Sequence, residues 1–254
     1  MIDPWSDLRS LTSARIALGR AGGSLPTAEL LGFSAAHAAA RDAVWAELDL
    51  DRLEDELAPL ELPLLRVVSS APDRATYLRR PDLGRRLDEA SATRLTQAAP
   101  PGGCDVAVII GDGLSAIAAQ AHAPALAVDL AGRCRARGLR LGPLSLVRQA
   151  RVALEDPIGE ALGARAALFL LGERPGLGSP DSLGAYLVFG PRPGRTDAQR
   201  NCVSGIRPEG LPVPAAAELV GWLVGEALRR GLTGVDLKDE RGLLGEGERD
   251  SGCG

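Results

Sequence analysis

Short apolar runs that close on glycine and alternate with helical stretches constrain this chain more than any other feature. Cys104 to Ile110 reads CDVAVII and Ala164 to Leu171 reads ARAALFLL. A continuous run of this length is what a strand buried on both faces requires, because each side of the sheet then meets apolar atoms. The first run ends in Gly111-Asp112-Gly113 and the second in Gly172-Glu173-Arg174-Pro175-Gly176. Ala185 to Phe189 is a third run, and Leu144 to Gln149 is strand-like. Between them, Leu114 to Ala121, Ala123 to Ala136 and Ile158 to Leu162 read as helices, the second stopping at Gly138. Ala215 to Arg230 is an amphipathic helix capped by Gly231, and Gly234 to Leu237 reads as a last short strand. Strand runs alternating with helices specify parallel βαβ units. The expected fold class is therefore α/β: a three-layer Rossmann-like sandwich with a mostly parallel sheet, preceded by a small helical N-terminal domain.

The first ninety residues supply the helical part. Pro26 and Thr27 open a helix running through Phe33 to Trp45, with Thr27 as the expected N-cap. Asp51 to Leu57 reads as a short helix, Leu62 to Val68 as extended, and Leu83, Leu87 and Leu95 recur at helical spacing. This divides the chain into a mainly helical domain over 1–99, an α/β domain over 100–240, and a Gly- and charge-rich tail over 241–254 expected to be disordered.

Composition removes several function classes. Apolar residues make up 45% and charged residues 24% of 254, the balance of a globular chain rather than a disordered one. No apolar stretch is long enough to span a bilayer, and the opening residues Met1 to Asp7 lack the basic-then-apolar order of a secretory signal. A net charge of −4 argues against non-specific nucleic-acid binding. Cys104, Cys134, Cys202 and Cys253 stand far apart with no C-x-x-C pair, and His37 and His122 are the only histidines, so neither a zinc site nor a disulfide framework is expected. The chain reads as cytosolic.

Ligands of open α/β sheets sit beyond strand carboxyl ends. Gly111-Asp112-Gly113-Leu114-Ser115 fits either a tight strand-to-helix turn or a backbone approach to a phosphate, and it is not G-x-G-x-x-G. Glu173 either accepts amide hydrogen bonds from a ligand or pairs internally with Arg174. The polar segment Arg192 to Cys202 reads as a functional loop, and Cys202 as a packing or ligand-lining thiol rather than a nucleophile. No Ser-His-Asp order or H-E-x-x-H is present. The residues alone thus point to a small-molecule-binding α/β domain whose chemistry is supplied from elsewhere. A non-catalytic module for a nucleotide or sugar phosphate is the alternative.

Several segments in order along the chain resemble the small (light) subunit of ethanolamine ammonia-lyase. They are Leu11-Thr12-Ser13-Ala14-Arg15-Ile16-Ala17-Leu18-Gly19-Arg20, Tyr77-Leu78-Arg79-Arg80-Pro81-Asp82-Leu83-Gly84-Arg85-Arg86, Asp112-Gly113-Leu114-Ser115, Leu171-Gly172-Glu173-Arg174-Pro175-Gly176-Leu177-Gly178 and Arg200-Asn201-Cys202-Val203-Ser204-Gly205-Ile206-Arg207-Pro208. The resemblance implies a carbon–nitrogen lyase that uses adenosylcobalamin (coenzyme B12) to convert ethanolamine to acetaldehyde and ammonia by radical chemistry. It further implies that a large TIM-barrel subunit binds ethanolamine, that the cofactor lies between the two subunits, and that they assemble as a large heteromer of about six of each. Residue by residue it carries cofactor contacts to Val152, Glu173 and Cys202. The chain departs from the family pattern at Gly111, where serine is frequent, and at Gly205, where asparagine is. It lacks the D-x-H-x-x-G cobalamin signature, in keeping with a cofactor that keeps its own lower base. Because the chain begins almost directly at the shared core, plain cytoplasmic residence and residence in a bacterial microcompartment are equally expected.

Overall fold

In the computed structural model of the chain, which describes residues 5–12 and 14–241, Leu64–Val68 (β1), Cys104–Gly111 (β2), Leu144–Arg148 (β3), Ala164–Gly172 (β4), Leu183–Phe189 (β5) and Arg200–Ile206 (β6) form a single mixed sheet. Its order is β1-β3-β2-β4-β5-β6. The first four of these positions run parallel, and β5 and β6 are antiparallel to their neighbours. Seven α-helices accompany it among the described residues: α1 (Thr27–Trp45), α2 (Leu50–Leu57), α3 (Arg74–Arg79), α4 (Glu89–Ala98), α5 (Ala116–Ala136), α6 (Glu155–Ala161) and α7 (Val213–Arg230). The expected tail lies outside the described residues beyond Arg241.

Period-two alternation along the buried strands sorts their side chains into two apolar clusters. Val106, Val108, Ile110, Leu168 and Leu170 pack with Leu126 and Leu130 of α5 and with Val220 and Val224 of α7. Ala107, Ile109, Ala167 and Phe169 pack with Leu95 of α4 and Ile158 of α6. Each fully buried Leu, Ile or Phe contributes about 1.5–3 kcal/mol of transfer free energy, so both faces are strongly held.

Several local expectations need correction. The two helices read on either side of His122 are one helix, α5, with Pro124 inside it. The missing N–H costs one hydrogen bond, and the apolar face from Ala119 through Leu130 continues across it. Pro26, not Thr27, occupies the N-cap of α1 and makes no side-chain cap. The run expected as a third parallel strand, β5, pairs antiparallel with β4. The chain returns through residues 173–182 with no helix to carry it across the sheet, and a parallel return needs such a crossover. The segment read as a loop ending at Cys202 closes with strand β6, and Gly234–Asp236 is a 3-10 turn rather than a strand. β1, which falls within 1–99, is an edge strand of the same sheet, paired with β3.

One buried carboxylate ties the parallel half together. Asp112, at the end of β2, accepts the N–H of Gln149 at 2.8 Å and of Ala150 at 2.9 Å, and pairs with Arg74 at 3.3 Å. Burial pushes its carboxyl up, and Arg74 and the backbone donors oppose that rise. Arg74 also donates to the carbonyls of Val44 and Gly113. Tyr77, buried between the guanidiniums of Arg74 and Arg151, presents one hydroxyl proton to Gly113 O at 2.9 Å and Ala150 O at 2.7 Å.

Tyr77→Phe takes that donor from the Ala150 carbonyl, whereas Gly113 O keeps Arg74. Urea unfolding is expected to show a loss of about 1–3 kcal/mol at an unchanged m value. A loss below about 0.5 kcal/mol would mean that the hydroxyl bond adds nothing.

Candidate functional site

On its β4 side the Gly111-Asp112-Gly113 turn is closed to ligands. Gly113 has φ +54°, and a Cβ there would stand 2.0 Å from the Gly172 carbonyl. That same carbonyl accepts the Leu114 N–H at 2.9 Å. Ser115 caps α5 by accepting the Ala118 N–H and donates to Pro180 O at 2.7 Å. Of the two readings open for this turn, the tight strand-to-helix turn is the one built, and the phosphate-binding alternative loses its cradle.

One open concavity of about 490 Å³ lies beyond β1 and β3, lined by Ser69, Arg74, Asp112 and Gln149; another lies on the sheet face shared with α4 and α6 but over β5 and β6. A cavity of about 630 Å³ is lined there by Val152 and Ala153 ahead of α6, Tyr186 of β5, Cys202 and Arg200 of β6, and Arg85, Arg151 and Arg195 from loops and turns. Tyr186 and Cys202 are register partners across the strand pair. α7 covers the opposite face, and on this one α6 meets β6 at Arg200 through Glu155 and Asp156.

Val152, Glu173 and Cys202 converge on this region. Val152 and Cys202 share the cavity wall. Glu173 stands at its edge: a Cβ on Gly184 would meet Glu173 Oε1 at 2.9 Å and Tyr186 Cε2 at 3.0 Å, so the carboxylate and the tyrosine ring flank the same glycine. Glu173 Oε2 accepts from Ser182 Oγ at 2.6 Å and from the Gly205 N–H at 3.3 Å, while Oε1 takes no hydrogen bond from the described residues. Glu173 therefore does not pair with Arg174, which is exposed. Gly205 has φ +73°, a conformation that glycine and asparagine adopt more readily than other residues. The departure from the frequent asparagine thus keeps the backbone shape that aims this N–H at Glu173.

Cys202 is exposed, yet it sits in a concave wall that desolvates the sulfur and raises the thiol pKa. A hydrogen bond with Tyr186 opposes that rise, and the charges of Glu173 and Glu155 add to it. Burial also pushes the Tyr186 phenol well up. Both groups stay neutral at pH 7, which suits a lining thiol and not a nucleophile.

Behind the wall lies an ion cluster that the sequence did not suggest. Arg200 donates to Glu155 Oε2 at 3.0 Å, to Asp156 Oδ1 at 3.0 Å and to Asp156 Oδ2 at 2.6 Å. All three side chains are at most 3% exposed. One guanidinium faces two carboxylates, and Glu155, fully buried, is held well above its ordinary pKa by desolvation, with Arg200 opposing. Tyr186 was also missed; as one of two tyrosines in the chain, in an otherwise apolar run, it was the available signal. His122 lies 3.5 Å from Asp181, away from the cavity lining.

Fold and cavity together define an α/β protein with an open, arginine-lined cavity. The chain belongs to the ethanolamine ammonia-lyase light chain family, whose model matches residues 2–238. The ethanolamine ammonia-lyase small subunit of Azotobacter vinelandii is 56% identical over 240 residues, covering 94% of this chain and 89% of the relative. That of Ralstonia nicotianae is 52% identical over 252 residues, covering 98% and 93%. That of Bradyrhizobium diazoefficiens is 53% identical over 238 residues, covering 93% and 91%.

Glu155 yields a pH prediction. A carboxyl raised in the folded state keeps a proton that the unfolded chain releases near 4.5, so its contribution is complete below that value and is lost as pH rises toward the raised one. Glu155→Gln does not titrate and still offers Arg200 an acceptor. The melting temperature of the variant minus that of the wild type is expected to grow from about pH 5 to about pH 8. A gap that stays constant over that range would show that Glu155 titrates alike in both states.

Proposed function

We propose that this small subunit of an ethanolamine ammonia-lyase holds adenosylcobalamin against a large subunit that binds ethanolamine, the pair releasing acetaldehyde and ammonia. The observation that carries the cofactor assignment is the convergence of Val152, Glu173 and Cys202, distant in sequence, on one partly covered sheet face. The residues fit the group. Glu173 Oε1 is an open acceptor for the amide N–H donors that fringe a corrin ring, and Ser182 and the Gly205 N–H hold the carboxylate in place. Val152 gives an apolar wall, and the neutral Cys202 thiol beside Tyr186 gives a weakly polar one. When bound, adenosylcobalamin supplies the radical chemistry, and the protein's share is binding, orientation and exclusion of water.

Four finer statements go with this reading. The sheet is taken as a Rossmann-like three-layer sandwich, which the two apolar clusters on its opposite faces support. The chain is taken as an N-terminal unit over 1–99 that lends β1 to the sheet, and a cofactor-facing unit over 100–240. The assembly is taken as a heteromer of about six large and six small subunits, which closed symmetry permits. The enzyme is placed in the cytoplasm, free or inside a bacterial microcompartment. Among the described residues no helix is long and apolar enough to cross a membrane.

Mixing this chain with its large subunit, ethanolamine and adenosylcobalamin is expected to release acetaldehyde only when all are present. A mixture shown to assemble but inactive would overturn the assignment. Within the active complex, Glu173→Ala is expected to raise the Kd for cobalamin about 10-fold, the worth of one hydrogen bond to a charged acceptor, with an unchanged circular dichroism spectrum. An unaltered Kd would remove Glu173 from the site.

A further inference from the structure

Several arginines near the ends of elements in this chain are neutralised by a carboxylate. Arg66 pairs with Asp51 and Glu54, Arg80 with Asp82, Arg230 with Glu226 and Glu240, and Arg241 with Asp239. In the cavity that contains Val152 and Cys202, three arginines are not. Arg85, Arg151 and Arg195 line it, and none of the three forms an ion pair with a carboxylate among the described residues. Arg200, the fourth, is committed to Glu155 and Asp156. Asp197 is the single carboxylate of the lining, 3.9 Å from Arg200 Nε. A local surplus of positive charge in one concavity runs against the −4 net charge of the chain.

Two of these guanidiniums are fixed by neutral partners. Arg195 donates through Nε to Gly190 O at 3.1 Å and through Nη2 to Phe189 O at 3.0 Å. Arg151 lies over the Tyr77 ring at 4.3 Å from its centroid, with Nη2 directed to Tyr77 O at 3.5 Å. Their Nη1 groups take no acceptor from the described residues. Arg85 is exposed at the rim and has no hydrogen-bonded side-chain partner there. Guanidiniums held in place by carbonyls and a ring keep their full charge, and their free Nη1 donors suit the anionic oxygens of a phosphate ester.

We propose that this part of the cavity is an anion subsite for the phosphodiester in the nucleotide arm of the cofactor, with Arg85, Arg151 and Arg195 as its donors. The inference rests on the cobalamin reading above and extends it from the corrin contacts to the arm below the ring. A cavity of about 630 Å³ has room for such an arm and not for the corrin, which would lie against the open face beside Glu173.

The test uses the complex with the large subunit and two probes in equilibrium dialysis. Cyanocobalamin carries the nucleotide arm; dicyanocobinamide keeps the corrin and lacks both the arm and its phosphate. Arg85→Gln and Arg195→Gln are each expected to raise the Kd for cyanocobalamin roughly 10-fold and to leave dicyanocobinamide within about 2-fold, since a lost charge-assisted bond acts only on the probe that has the anion. Arg195→Lys, which keeps the charge, is expected to recover part of the loss. Equal shifts for both probes, or no shift for either, would overturn the subsite. Variants that no longer assemble with the large subunit would assign the arginines to that interface and overturn it as well. Saturable binding of inorganic phosphate to the cobalamin-free complex, with no competition against cyanocobalamin, would give the site to free phosphate instead. A wild-type complex that binds neither corrinoid would fail the cofactor reading itself, a result separable from all of these.

Discussion

The buried carboxylate of Asp112 is the interaction on which the rest of the molecule depends. It ends β2 where the sheet turns toward β3 on one side and β4 on the other, and it fixes the chain after β3 by accepting the Gln149 and Ala150 N–H groups. A charge so buried is costly unless it is matched, and Arg74 from the N-terminal part of the chain supplies the match. The consequence reaches the site. Ala150 is bonded on both sides, by Asp112 at its N–H and by Tyr77 at its carbonyl, and Arg151 and Val152 follow directly. The cavity wall at Val152 is thus positioned by a polar network outside the cavity lining.

The location of the site follows from the way the sheet changes direction. Parallel strands need helical crossovers, which cover their faces; antiparallel strands joined by loops do not. The chain makes both of its last sheet connections, over residues 173–182 and 190–199, without an α-helix. α7 then covers one face of β5 and β6, while α6 covers the other only toward Arg200 and Val188 and leaves Tyr186 and Cys202 on the cavity wall. This differs from the rule that ligands lie beyond the carboxyl ends of parallel strands. Beyond β4 that place is filled, because Gly172 O and Pro180 O take the donors of the turn at Gly113 and Ser115, whereas beyond β1 and β3 a separate cavity of about 490 Å³ remains beside Asp112 and Gln149. Edge strand β6 is polar and shifts register against β5, and Asn201 binds the carbonyls of Gly234 and Leu237, so the open edge is blunted against another chain's strand.

Legibility tracked burial. β2 and β4 announced themselves because both of their faces meet apolar atoms, and α7 because it ends on Gly231 with φ +72°. The direction of β5 was hidden for the same reason that its existence was plain: a strand buried on both faces looks alike whichever way it runs. β6 was unreadable as a strand, since Arg200, Asn201, Cys202 and Ser204 give it a polar sequence and only Val203 and Ile206 are buried apolar residues. Val152, Glu173 and Cys202 came from family resemblance, and no spacing would have joined them. The three unpaired arginines were masked by abundance, because Lys238 is the only lysine among 29 basic residues and a single arginine therefore carries little signal.

The arrangement explains how a chain with no evident catalytic group contributes to a reaction. Binding a large cofactor costs conformational freedom in whatever side chains must be ordered around it. The side chains proposed to meet the cofactor are ordered without it: Glu173 by Ser182 and the Gly205 N–H, Arg195 by two carbonyls, and Arg200 by two buried acidic side chains. The Glu155–Asp156–Arg200 cluster is poor value as a stabiliser, since its desolvation offsets much of its attraction. Its position behind Cys202 and below the loop of Arg195 gives it another use. Arg200 also donates to the Arg195 carbonyl, so the cluster ties α6, β6 and that loop into one rigid wall. Stability is given up there for a rigid wall.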